Sequence, residues 1–237
     1  MSRHMRLASL LSGGKDSVHS IQLALELGHE VTYAVTIFPE RDDSYMFHVP
    51  NLWLTSLQAA SMGIGHIRRN SSGRKEEELL DLKEALRPLE IDGVLAGAIA
   101  SNYQLTRVAK ICDELGLEVV APLWGADAES LLRQMVQRSY RIMIVGVYAD
   151  GMGPEWLGRI IDPATIEDLK RLHSEKGINI SFEGGEAETL VLDCPLFSSC
   201  IVIDSAQVCW ETCRGEYLIK QAHLGKEPGP TVRERSG

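Results

Sequence analysis

The sequence predicts an α/β protein: a parallel-sheet, Rossmann-like N-terminal domain followed by a smaller α+β C-terminal domain. Three observations predict it. Short β-like runs alternate with helical patterns up to about residue 121, the alternation that builds parallel βαβ units. The first of these runs leads directly into Leu11-Ser12-Gly13-Gly14-Lys15-Asp16-Ser17 and then a helix. From Ile178 onward, strand-like runs dominate.

Each element has a local reason. Leu7–Leu11 is an apolar run that stops at a glycine turn. Ser17–Leu27 has apolar residues at 18, 21, 24 and 25, with Gly28 as its stop, and reads as a helix. Glu30–Phe38 is dense in Val, Thr, Ile and Tyr and reads as a strand. Pro39–Pro50 is polar and turn-rich. It reads as a loop of functional size, with Met46, Phe47 and His48 as a candidate lid. Leu52–Met62 is helical, Ile64–Ile67 a short strand, and Lys75–Leu89 an amphipathic helix. Asp92–Ile99 is a strand, Asn102–Leu115 a helix stopped by Gly116, and Leu117–Ala121 a strand.

The second half changes character near Pro122–Asp127. The expected division is 1–124 for nucleotide binding, 125–225 for substrate binding, and 226–237 as a flexible tail. Ala128–Arg138 reads as a helix and Tyr140–Val147 as a strand. Pro163–Lys176 reads as a helix with Asp162 at its N-cap and Pro163 at its first position. Thr189–Leu192, Cys200–Asp204, Ala206–Glu211 and Tyr217–Ala222 read as strands.

Composition removes several function classes. Hydrophobic residues make up 44% of the 237 and charged residues 24%, which excludes a disordered or low-complexity chain. The net charge of −9 argues against nucleic acid as a partner. No apolar run approaches the length of a membrane span, and the N-terminal residues lack the apolar core of a signal peptide. A cytoplasmic protein is expected, and homo-oligomerisation stays open. The five cysteines, at 112, 194, 200, 209 and 213, include no CxxC pair and read as buried, reduced thiols.

The candidate chemistry begins at Ser12–Ser17. A helix N-terminus presents unpaired N–H groups and a partial positive charge. Gly13 and Gly14 let the backbone approach an anion, Lys15 adds a full charge, and Ser12 and Ser17 offer hydroxyls. Together they form a phosphate cradle that is neither the Walker A nor the GxGxxG pattern.

Ser12-Gly13-Gly14-Lys15-Asp16-Ser17 resembles the SGGxDS loop of the N-type ATP pyrophosphatases. Gly97-Ala98-Ile99-Ala100-Ser101-Asn102-Tyr103-Gln104-Leu105-Thr106-Arg107 and Glu183-Gly184-Gly185-Glu186-Ala187-Glu188-Thr189 resemble two signatures of the diphthine–ammonia ligases within that group. His29-Glu30-Val31, Ser44-Tyr45-Met46-Phe47-His48 and Pro122-Leu123-Trp124 match the same family. The likeness runs from about Leu7 to Phe197. In one departure, Ser181-Phe182 precede Glu183 where the family usually has a Gly.

The resemblance implies a HUP-type nucleotide-binding domain. It also implies ATP and Mg²⁺ as cofactors, and ammonium and diphthine-modified translation elongation factor 2 as partners. ATP and its pyrophosphate would meet Ser12–Ser17 and Gly97, Ala98 and Ile99, which fall at the carboxyl end of a strand, where open α/β sheets bind ligands. Asp16 is the candidate for Mg²⁺, and Lys15 for the charge that develops on pyrophosphate. Ser44, His48, Ser101, Tyr103, Gln104, Arg107, Glu186 and Thr189 are the candidate substrate contacts. Tyr103 and Arg107 are four apart on one helix face, which suits either carboxylate binding or a plain Arg–Tyr stack. Glu183, Glu186 and Glu188 would hold Mg²⁺, ammonium or a proton, with Glu186 and Glu188 facing the reacting centre. A tRNA-thiolating enzyme, with Cys112 and Cys200 as a pair, and a non-catalytic ATP-binding module are the alternatives.

Overall fold

The structure is a computed structural model, and it describes residues 3–39, 51–72 and 77–226, with only the backbone of Gln104. Ser44, His48 and the rest of the expected lid lie outside the described residues, as does nearly all of the expected tail. The chain divides into two compact units, residues 1–12 with 16–125, and residues 13–15 with 126–237.

The first unit is a five-stranded parallel sheet. In chain order it comprises β1 (Arg6–Leu10), α1 (Lys15–Glu26), β2 (Glu30–Pro39), α2 (Thr55–Met62, entered through a short 3-10 turn at 52–54), β3 (Gly65–Ser71), α3 (Glu77–Leu86), β4 (Gly93–Leu95), α4 (Asn102–Leu115) and β5 (Glu118–Val120). The strands lie in the order β3-β2-β1-β4-β5. The chain builds outward from β1 to β3, then returns to the other side of β1 with β4. The switch point therefore falls between β1 and β4, where α/β sheets bind ligands beyond the strand ends. Leu7 and Ala8 of β1 are both fully buried, as expected for a strand with both faces covered. Ala8, Val35, Ile37, Leu82, Leu86, Val94, Val108 and Ile111 form one core cluster.

Two strands differ from expectation. β3 runs on to Ser71 because it is an edge strand, and an edge accommodates the exposed Arg68, Arg69 and Asn70. β4 pairs only over Gly93–Leu95; the expected strand to Ile99 ends early because residues 97–99 leave the ladder to pack elsewhere.

The second unit carries α5 (Ala128–Gln137), β6 (Arg141–Val147), α6 (Pro163–Lys176), β7 (Ala187–Asp193), β8 (Cys200–Glu211) and β9 (Arg214–Gly225). Asp127 caps α5 by accepting from Ser130 N–H at 2.9 Å. Asp162 caps α6 by accepting from Thr165 N–H at 2.7 Å, and Gly177 ends that helix at φ +74°. The sheet is antiparallel, in the order β7-β6-β9-β8. β8 is one strand where two were expected. Its pairing shifts on either side of Ser205, so an irregularity absorbs the break without ending the ladder.

Candidate functional site

The loop after β1 is fixed at both ends by its own unit. Leu11 is the residue before it. Its N–H donates to Val35 O at 2.9 Å, and its C=O accepts from Thr36 Oγ1 at 2.9 Å. Ser12 Oγ and Ser17 Oγ lie 3.1 Å apart. Gly13 sits at φ +88°, a left-handed turn that glycine adopts without strain. This turn lets α1 start at Lys15, two residues before the expected start. Behind the loop, a Cβ on Gly97 would fall 2.8 Å from both Asp16 C and Ser17 N. The space beside the Gly97 α-carbon is thus filled by the loop's own backbone. Ala98 and Ile99 are buried, and Ile99 O accepts from Gly125 N–H at 2.9 Å.

α4 begins at Asn102, immediately after Ser101, whose C=O accepts from Leu105 N–H at 3.1 Å. The Arg107 guanidinium stacks 4.8 Å from the Tyr103 ring centroid. The side chain of Gln104 lies outside the described residues.

Residues 13–15 pack with the second unit. Gly13 O accepts from Val191 N–H at 3.0 Å, and Lys15 N–H donates to Thr189 Oγ1 at 3.2 Å. Lys15 is 2% exposed. Its ammonium donates to Ser181 O at 2.7 Å and lies 5.7 Å from the Phe182 ring centroid. Phe182 has φ +64°, a conformation uncommon outside glycine. That is the position where the resembled family usually has a glycine.

The acidic turn closes on itself through Glu186. Oε1 accepts from Asn179 N–H at 3.1 Å and Oε2 from Gly184 N–H at 2.9 Å. Phe182 N–H donates to Asn179 O, and Gly185 N–H to Phe182 O, each at 3.0 Å. Glu186 was expected to face a reacting centre; here both its carboxylate oxygens hold the turn. Glu183 is half-buried at the start of the turn, while Glu188 lies in β7, opposite Gly146 of β6.

Two further residues join Glu188 and were missed in the sequence. Gly146 is paired on its other side with Glu216 of β9, so Glu188, Gly146 and Glu216 form a row across three strands. Tyr148 lies over the glycine and donates its hydroxyl to Glu216 Oε1 at 3.0 Å. A Cβ at Gly146 would sit 2.7 Å from that hydroxyl. Burial first, then the charges of Glu216 and Glu188, raise the Tyr148 pKa well above its usual range. The phenol therefore stays protonated and remains a donor. The available signal was a glycine inside a strand, which marks a close approach.

Family models for the N-terminal and C-terminal domains of diphthamide synthase match residues 5–119 and 127–224. The human protein named diphthine–ammonia ligase is 35% identical over 230 residues, covering 86% of this chain and 85% of its own. The chain belongs to the diphthamide synthase family. The zebrafish relative of the same name is 33% identical and covers 86% of this chain and 88% of its own. The fission yeast relative is 33% identical over 94% of this chain but only 40% of its own. A protein described as a predicted subunit of tRNA methyltransferase from Methanocaldococcus jannaschii superposes with a TM-score of 0.45 at 16% identity, covering 81% of this chain and 98% of that one, a likeness too low to bear on function.

The thiols of this chain are poor nucleophiles where they are buried. Burial pushes Cys112 up to about 11 and Cys194 up to about 12. Cys200 Sγ contacts Gly225 O at 3.4 Å, Cys209 is partly exposed and Cys213 is exposed. Among the described residues, no three His, Cys, Asp or Glu side chains gather into a metal site, and no helix is long and apolar enough to cross a membrane.

Proposed function

We propose that this family member is an AMP-forming amide ligase acting on diphthine, the modified histidine of translation elongation factor 2. In this reading ATP is a substrate held at Ser12–Ser17. The diphthine carboxylate attacks the α-phosphorus, and the bond to pyrophosphate breaks. Ammonia then attacks the acyl carbon, AMP leaves with the electron pair of the acyl–oxygen bond, and the surplus proton on nitrogen passes to a carboxylate. The product is the amide, diphthamide.

The observation that carries the proposal is one chain holding a loop–helix phosphate cradle beside the switch point of a parallel sheet together with both domains of this family. Lys15 supplies charge for the leaving pyrophosphate. Asp16, in the first turn of α1, suits Mg²⁺, which is usually held by one or two carboxylates plus phosphate oxygens. Mg²⁺ would neutralise phosphate charge there. Glu183 and Glu188 are assigned to ammonium or the proton. Tyr103 and Arg107 are assigned to substrate with Ser101, and Thr189 to the loop side of the site.

The deciding test is a product assay with ATP, Mg²⁺ and ammonium, with and without the diphthine-bearing factor. The expected result is AMP and pyrophosphate only when the factor is present, with the factor's mass shifted from acid to amide. ADP as the product, or AMP without the mass shift, would reject it. Of the pair that sulfur transfer would use, Cys112 and Cys200, the buried, proton-holding thiol of Cys112 gives that reading no support.

A further inference from the structure

The hydrogen bond on Leu11 continues beyond Thr36. Thr36 Oγ1 lies 3.0 Å from His66 Nε2 in the neighbouring strand, and Thr55 Oγ1 lies 3.4 Å from the same nitrogen. Each hydroxyl has one proton. Thr36 gives its proton to Leu11 O, and Thr55 gives its own to Leu52 O at 2.7 Å. Toward His66 both hydroxyls can therefore only accept, so Nε2 carries hydrogen and donates. This defines a directed series: His66 Nε2–H to Thr36 Oγ1–H to Leu11 C=O.

The series ends at a sensitive point. Leu10 is the last residue of β1 paired with β2, so the Leu11 carbonyl lies just past the ladder. Leu11 is 2% exposed and Thr36 1%, and a buried carbonyl needs a partner. The Thr36 hydroxyl supplies it, while His66 fixes which way that hydroxyl points. Register agrees: His66 pairs with Ala34 and Arg68 with Thr36, so His66 and Thr36 lie on one face of adjacent strands. Gly97 backs the loop at Asp16–Ser17; the Thr36 hydroxyl holds it at its entrance.

We propose that Thr36 and His66 are positioning residues that set the exit direction of the chain into Ser12–Ser17. They touch no substrate and act through Leu11. Their effect on nucleotide rests on the ATP reading of that loop, but their effect on the loop's geometry does not.

Two readouts keep these apart: amide exchange of residues 12–17 without ligand, and the Kd for a non-hydrolysable ATP analogue. Thr36→Val keeps the shape and removes the hydroxyl. It is expected to speed exchange in residues 12–17 and to weaken analogue binding about three- to tenfold, the range one hydrogen bond spans. Thr36→Ser should restore both to within about twofold. His66→Leu should act in the same direction but less, and His66→Gln should retain the donor and the wild-type values. In a serial relay the Thr36→Val/His66→Leu double variant should be no worse than Thr36→Val alone.

Unchanged loop exchange in Thr36→Val, or additive effects in the double variant, would overturn the relay. If Thr36→Val does not fold, His66→Leu against His66→Gln carries the same comparison, and equal loop exchange in those two would overturn it. If wild-type protein binds no ATP analogue while loop exchange still responds to Thr36→Val, the nucleotide reading falls and the relay stands.

Discussion

Two Gly-Gly motifs lie in this chain, Ser12–Ser17 and Glu183–Glu188, and they are built in opposite ways. The first is held from outside. Thr36 supports its entrance, Gly97 backs Asp16–Ser17, and β7 receives Gly13 and the Lys15 amide. The second holds itself, because both oxygens of Glu186 close the turn that contains it. A charged residue in a motif can thus belong to the scaffold, and its role follows from its partners rather than its charge. Lys15 is intermediate: it is buried, with its ammonium on a backbone carbonyl.

The largest expected effect separates these roles most sharply. Lys15→Ala should slow AMP formation about 10²–10³-fold, the loss typical when a preorganised electrostatic contact is removed. A rate within about threefold of wild type would make Lys15 a scaffold residue held by its backbone partner, as Glu186 is by its own. Next comes Gly97→Ala. The new Cβ would meet backbone atoms of Asp16 and Ser17 that cannot rotate away, so the cost should be about 1–3 kcal/mol of stability, with weaker ATP binding. Denaturant melts and analogue titration check both. Weaker binding at unchanged stability would mean that the glycine serves the nucleotide instead.

The sequence made some of this legible. α4 and α6 match their expected limits at both ends because Gly116, Asp162-Pro163 and Gly177 are strong start and stop signals. Strand limits were less legible. Hydrophobicity reports burial rather than pairing, so Ala98 and Ile99 looked like strand, while the polar edge of β3 did not. The loop at Ser12–Ser17 is contiguous and could be read directly. Tyr148 and Glu216 stand 68 residues apart, and only antiparallel register brings them beside Glu188. The left-handed backbone at Phe182 has no signal in the residue itself, since phenylalanine rarely adopts it.

A smaller effect should divide the glutamates of the second motif. Glutamine keeps one accepting oxygen, so Glu186→Gln leaves either Asn179 N–H or Gly184 N–H without its carboxylate partner. The expected loss is about 1 kcal/mol of stability. Glu188→Gln removes a like charge from the Tyr148–Glu216 pair and should keep stability within about 0.5 kcal/mol, while AMP formation slows. Melting curves and rates for the two variants, measured together, test this. The reverse pattern would return Glu186 to the reacting centre.

The smallest effect concerns pH and probes the support of the first motif. Burial, and then the charge of Arg68, lower the His66 pKa below its usual 6.5. The unfolded chain therefore takes up this proton first as pH falls. The His66 contribution to stability is complete above about 6.5 and is lost as pH falls through the lower folded value. The caps at Asp127 and Asp162 titrate elsewhere. The backbone N–H groups of Ser130 and Thr165 hold these carboxyls below their usual range, so their contributions fade only in stronger acid. Since His66 is half-buried, the shift in Tm between pH 7.5 and 5.5 should be on the order of a degree. The informative quantity is wild type minus His66→Gln, which cancels every other group titrating in that window. A difference that falls from pH 7.5 to pH 5.5 has the expected sign. A difference that grows in acid would mean that the folded state favours the protonated ring, with a hydrogen-bond acceptor facing Nδ1.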